Sequence, residues 1–114
     1  MSTWFSRLFA RGGASSTPAL TPVEAATLRA WLAEGDVLLV DIREAEEHAR
    51  TRLPRSLSVP LSSFPESLAA PAHARRVVFY CQTGRRTRFA AGRLARSTAL
   101  PAFMLEGGLV NWRE

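Results

Sequence analysis

The chain has 114 residues, close to half of them hydrophobic, which is enough for one domain with a modest core. Its charge of +5 comes from 15 basic and 10 acidic residues, every basic residue being arginine. The arginines run from Arg7 to Arg113 without the clustered, aromatic-interleaved stripe of a nucleic-acid-binding face, and read as solvated surface. One cysteine excludes an intramolecular disulfide, a C-x-x-C redox pair and a zinc knuckle, and no apolar run approaches the ~18 residues of a membrane-spanning helix.

In chain order, residues 1–19 read as a tail and linker preceding a domain over 20–114. Trp4, Phe5, Leu8 and Phe9 lie on one side at helical spacing, next to Arg7 and Arg11. They form either a short interfacial helix for a membrane or partner or a sticky disordered tail, and the Gly/Ser/Pro-rich run Gly12 to Pro18 is a flexible linker. Met1 to Ala10 lacks the continuous apolar core of a signal peptide, and a reduced cytoplasm is the expected location. A helix is expected from Thr21 or Pro22 through about Ala33, with Thr21 as N-cap, Glu24 at the capping-box position and Gly35 as the stop. Val37 to Val40 then reads as a fully apolar strand ending at Asp41. A helix over Glu44 to Arg50, a short strand near Leu57 to Val59 and a helix around Phe64 to Ala69 follow. After the strand Val77 to Tyr80 come a long helix to about Arg96 and a last strand, Ala102 to Leu105. Alternating α and β segments with continuous apolar strands argue for a mostly parallel sheet covered by helices on both faces. Ligands of such sheets bind beyond the carboxyl ends of the strands, where Asp41, Cys81 and Glu106 fall.

Cys81 is the most informative residue. It closes the apolar run Val77-Val78-Phe79-Tyr80 and opens the loop Gln82-Thr83-Gly84-Arg85-Arg86-Thr87. Phe89, Ala90, Ala91, Leu94 and Ala95 recur after it at helical spacing. A strand feeding a helix through a Gly-containing loop points backbone N–H groups and the positive end of the helix at the thiol, and Arg85 and Arg86 add cations. All of these favour the thiolate. The bland alternative is a small buried hydrophobe, the usual fate of a free cysteine. His48 and His73 stand apart from any ligand pattern, His48 reading as a packed helix residue, so neither metal nor cofactor is expected.

Three ordered segments resemble the single-domain rhodanese-like sulfurtransferases. Cys81, Gly84, Arg86 and Thr87 match the family's C-x-x-G-x-R-[S/T] loop. Val40-Asp41-Ile42-Arg43-Glu44-Ala45-Glu46-Glu47 resembles its V-D-x-R-x-x-x-E segment, and Leu105-Glu106-Gly107-Gly108-Leu109-Val110-Asn111-Trp112 its L-x-G-G-x-x-x-W ending. The resemblance covers about Thr21 to Trp112. One stretch departs: where the family usually carries G-H-I-P-G-A, this chain has Thr51-Arg52-Leu53-Pro54-Arg55-Ser56. Arg55 stands where a family glycine often marks a positive φ, and the stretch is expected to enter the third strand at the end of the sheet away from Cys81.

The resemblance implies a rhodanese fold and an enzyme that moves a sulfane sulfur. Cys81 takes the outer sulfur of an anionic donor such as thiosulfate and passes it, as a persulfide, to cyanide, a thiol or a protein acceptor. In that reading the Gln82, Thr83, Gly84, Arg85 and Arg86 amides cradle the anion. Arg86 braces the loop against a strand-end acid such as Asp41, Arg85 meets the donor and Thr87 caps the helix. Asp41 and Arg43 either take part directly or form a structural ion pair, and Glu106 supports the site. Two rivals belong to other classes. A phosphatase or arsenate reductase uses a Cys-x5-Arg loop, whereas here the arginine arrives one place early. A slow sulfur-carrier or binding module is the other.

Overall fold

A computed structural model describes residues 19–112. The expectations for the Trp4 to Phe9 segment and the Gly12 to Pro18 linker lie outside these residues.

Among the described residues five strands form one sheet: β1 (Thr21–Val23), β2 (Val37–Asp41), β3 (Leu57–Ser58), β4 (Arg76–Tyr80) and β5 (Ala102–Leu105). Their order is β1-β5-β4-β2-β3 and every pairing is parallel. Helices α1 (Ala25–Glu34), α2 (Ala45–Arg50), α3 (Arg85–Phe89) and α4 (Ala91–Arg96) connect them, with short 3-10 turns at Leu61–Ser63 and Leu109–Asn111. The apolar runs of β2 and β4 are continuous because both faces are covered. Val77, Phe79 and Cys81 point to one side, where they pack with Val40, Ile42, Ala90 and Leu94. Val78 and Tyr80 point to the other, against Leu28, Leu32, Leu39 and Leu105. This two-residue alternation buries the Cys81 side chain on the α3–α4 face and aims Tyr80 away from it.

Three elements differ from expectation. Thr21–Val23 is not the first turn of a helix but an edge strand paired with β5, Thr21 opposite Phe103 and Val23 opposite Leu105. Pro22 suits an edge strand, since it has no N–H to leave unpaired. The Glu106 N–H donates to Val23 O at 2.9 Å, and Glu24, in extended conformation, becomes the N-cap of α1. Gly35 does stop that helix, at φ 82°, donating to the Trp31 and Leu32 carbonyls. No helix forms over Phe64 to Ala69. Phe64, restricted by Pro65, is extended at ψ 131°, and the Leu68 N–H is drawn to Ser97 O at 2.8 Å.

The long helix after the loop is broken at Ala90 (φ −99°, ψ 12°) into α3 and α4. Its inward stripe runs through Thr87, Ala90 and Leu94, all buried. Phe89 lies more than about a third of a turn off the centre of that stripe and is 92% exposed, although it shares the helical spacing. Arg55 has φ 64°, the positive value expected of it. It lines a hollow with Gly35 and Val37 at the start of β2, the end of the sheet opposite Asp41.

Candidate active site

Cys81 follows β4 directly and is 1% exposed. The chain then turns through Gly84, whose φ of 93° lets it end the loop as the N-cap of α3. That turn aims the Gly84 N–H at Sγ, 3.1 Å away. Thr87 Oγ1 stands 3.8 Å from the sulfur and donates to Gly84 O at 2.9 Å. Thr87 therefore ties the first turn of α3 back onto the loop from within, and the N-cap position expected for its hydroxyl belongs to Gly84. Burial pushes the Cys81 thiol up, but the Thr87 amide and hydroxyl and the Gly84 and Arg86 amides outweigh it and bring it below the ordinary value. With only five residues in α3, the effect comes from these individual donors in place of the long helix dipole expected from sequence.

Arg86 is braced, but by a different acid from the one expected. Its guanidinium makes a two-pronged pair with Glu47, Nη1 to Oε2 at 2.9 Å and Nη2 to Oε1 at 3.0 Å. The same Glu47 Oε2 accepts from the Glu44 N–H at 3.1 Å, closing the capping box of α2. One carboxylate thus joins the start of α2 to the Cys81 loop. The Arg86 guanidinium holds the Glu47 carboxyl well below its usual range, at about 2. Arg85 is exposed and lines a shallow hollow with Thr83, Arg86 and Phe89.

Asp41 is fully buried at the end of β2 and saturated with donors. Arg43 reaches it through its backbone N–H at 2.9 Å and its guanidinium at 2.8 Å, His48 Nδ1 lies at 2.9 Å, and the Tyr80 hydroxyl donates at 3.1 Å. Burial raises this carboxyl, and the Arg43 and His48 hydrogen bonds more than reverse it. Arg43, 1% exposed, also donates to the Thr51 carbonyl and, at 3.0 Å, to Gln82 Oε1 inside the loop. Asp41 is therefore an anchor for Arg43, the ion-pair alternative left open by the sequence, and through that arginine it is linked to Gln82 in the loop.

The segment after β5 forms the other wall. The Leu109 N–H donates to Cys81 O at 2.9 Å and the Val110 N–H to Gln82 O at 3.1 Å. A β-carbon on Gly108 (φ 72°) would stand 2.6 Å from Gln82 O, so only glycine permits this approach. Glu106 is exposed, and its carboxylate enters none of the hydrogen bonds or ion pairs among the described residues. Trp112 stacks under the Arg29 guanidinium, 4.1 Å from ring centroid to carbon, away from Cys81 on the other face of the sheet.

Residues 24–114 match the rhodanese-like domain family. The chain belongs to that family. It is 35% identical over 77 residues to a protein of Allochromatium vinosum named sulfurtransferase, an alignment covering 68% of this chain and 72% of that one. An uncharacterized Synechocystis protein is 32% identical over 101 residues, and the alignment covers 89% of this chain but only 56% of that protein. The crystal structure of thiosulfate sulfurtransferase from Pseudomonas aeruginosa superposes at TM-score 0.73 and 25% identity, over 94% of this chain and 23% of that one.

Of the residues of this rhodanese-like loop, Gly84, Arg86 and Thr87 present donors to Cys81, whereas Gln82 meets Arg43 and Thr83 and Arg85 are exposed. Asp41 and Arg43 stand one contact further out, and Glu106 is not drawn in. Three participants went unassigned in the sequence. Glu47 sits in the V-D-x-R-x-x-x-E segment, and its spacing from Glu44 is a capping-box signal. His48 lies one residue further along α2. Tyr80, next to Cys81 but on the opposite face, receives the Leu53 N–H at 3.1 Å as well as donating to Asp41. The order of residues along β4 carries a trace of that last role, since every second residue changes face.

Proposed function

We propose that the chain is a sulfurtransferase of the rhodanese type, with Cys81 as its nucleophile. The observation that carries this reading is a buried sulfur facing the N–H groups of Gly84, Arg86 and Thr87, with no histidine or carboxylate among its hydrogen-bond partners in the described residues. Such a pocket stabilises a thiolate and, after transfer, a persulfide anion. The Cys81 thiolate attacks the outer sulfur of a donor such as thiosulfate. The donor's S–S bond breaks, sulfite leaves with the electron pair, and Cys81 holds the sulfur as a persulfide anion. Cyanide or a thiolate then attacks that outer sulfur, and the pair from the broken bond returns to Cys81 as thiolate. Charge balances at each step, so neither proton relay, metal nor cofactor is required.

Roles follow from position. The Gly84, Arg86 and Thr87 amides bind the sulfur anion, Arg85 attracts the incoming donor, and Gln82 and Thr83 complete the loop. Arg86 holds the loop's shape through Glu47, and Arg43, anchored on Asp41, holds Gln82. Glu106, whose carboxylate enters none of the hydrogen bonds or ion pairs among the described residues, is given no role in the step. A reduced compartment such as the cytoplasm suits a reactive free thiol. The Arg86–Glu47 pair also argues against phosphatase or arsenate reductase chemistry, because the arginine that would face a tetrahedral oxyanion is turned to a carboxylate. The test is turnover of thiosulfate with cyanide set beside hydrolysis of an aryl phosphate, each in native protein and Cys81→Ser. Cys81-dependent thiocyanate formation supports the proposal, and Cys81-dependent phosphate release without thiocyanate would replace it.

A further inference from the structure

Phe89 is a side chain that the proposed chemistry leaves unused. It closes α3 and is 92% exposed, yet it lines the same hollow as Thr83, Arg85 and Arg86. A solvated ring at the rim of a reactive loop gives a small anionic donor nothing that charge alone would not. Its apolar area, about 150–250 Å² for an aromatic side chain, is useful only against another apolar surface. Two of the charges around it are equally unspent. Arg86 is neutralised by Glu47, whereas Arg85 and Arg88 enter no ion pair among the described residues. Arg88 is folded back over the loop, its Nη1 3.0 Å from where a β-carbon on Gly84 would stand.

The geometry points to a protein acceptor: a polypeptide thiol set in acidic surroundings, with an apolar contact that receives Phe89. This rests on the sulfurtransferase reading. An aromatic side chain that a partner would bury, rimmed by charges, is the layout of an interface hot spot, and the positive rim steers an acidic partner while opposing a second copy of this +5 chain. In the step itself the acceptor thiolate attacks the outer sulfur of the Cys81 persulfide. The S–S bond breaks toward Cys81, which is regenerated as thiolate, and the acceptor departs as the persulfide without any external oxidant.

The test uses the full chain loaded from thiosulfate and three acceptors: cyanide, a short cysteine peptide flanked by glutamate and leucine, and one flanked by lysine and serine. Transfer rates are compared for native protein, Phe89→Ala, Phe89→Leu and Arg88→Glu. In parallel, dye-labelled peptides with serine for cysteine are titrated by anisotropy against Cys81→Ser. The acidic peptide is expected to be preferred, less so as salt rises. Phe89→Ala should weaken its transfer and its binding about tenfold, with partial recovery in Phe89→Leu, while cyanide turnover stays within about twofold. Arg88→Glu should reverse the peptide preference. Equal rates for the two peptides, or an equal loss for cyanide and peptide in Phe89→Ala, would overturn the proposal. So would Phe89-dependent dimerisation in sedimentation, or Phe89-dependent binding to phosphatidylglycerol vesicles without binding of the acidic peptide. Failure to load sulfur would instead contradict the sulfurtransferase reading, and anisotropy would then decide the docking surface alone.

Discussion

Glu47→Gln separates charge from shape at the joint between α2 and the Cys81 loop. Glutamine keeps an oxygen for the Glu44 N–H and a similar volume, so the capping box survives while the charged pair with Arg86 is lost. Lowering the Glu47 carboxyl from 4.5 to about 2 corresponds in principle to about 3 kcal/mol, at about 1.4 kcal/mol per tenfold change in ionisation. The Arg86 side chain is 40% exposed, and solvent screening reduces that to about 1–2 kcal/mol. The variant should unfold earlier in urea at neutral pH and melt lower by roughly 4–8 °C per kcal/mol. A depressed carboxyl stabilises the fold fully above its unfolded value. The gap between native and variant should therefore hold above about 4.5 and close as pH falls toward about 2. Thiosulfate turnover should drop too, since Arg86 no longer fixes the loop. Equal stability at neutral pH, or a gap that does not narrow in acid, would refute the reasoning.

Cys81 should alkylate with a pH midpoint below that of a small free thiol, because the Thr87, Gly84 and Arg86 donors outweigh its burial; iodoacetamide kinetics across pH measure this. Gly108→Ala should destabilise the protein by roughly 1–3 kcal/mol and depress turnover further, since a β-carbon 2.6 Å from Gln82 O must push the loop away; denaturation and steady-state kinetics report the two effects. Arg85→Ala should raise the KM for thiosulfate and flatten its salt dependence with Tm unchanged, because this exposed side chain enters no ion pair among the described residues and, in the proposed step, attracts the incoming anion.

The Cys81 loop was legible in the sequence because its determinants are local: a β-rich run, a glycine three residues past the cysteine, and an amphipathic stretch. The covered parallel sheet was legible for a similar reason, since unbroken apolar runs in β2 and β4 require two packed faces. Thr21–Val23 misled because its capping signals are local, whereas its pairing with β5 joins residues about eighty positions apart in the chain. The partner of Arg86 was also hidden by distance along the chain, 39 residues in this case. Asp41 and Glu47 are both acids of one segment, and only the turn from β2 into α2 decides that Glu47 faces the loop while Asp41 keeps Arg43. Phe89 shares the hydrophobic spacing of this stretch but not its buried face, because spacing alone does not fix the centre of the stripe, which passes through the polar but buried Thr87.

The central claim is that Cys81 carries the transferred sulfur. Intact-mass measurement of native protein and Cys81→Ser, before and after thiosulfate and again after cyanide, tests it most directly. The account predicts that native protein gains the mass of one sulfur and loses it to cyanide, while Cys81→Ser stays unchanged throughout. An unchanged native mass, or a gain that persists in Cys81→Ser, would contradict it.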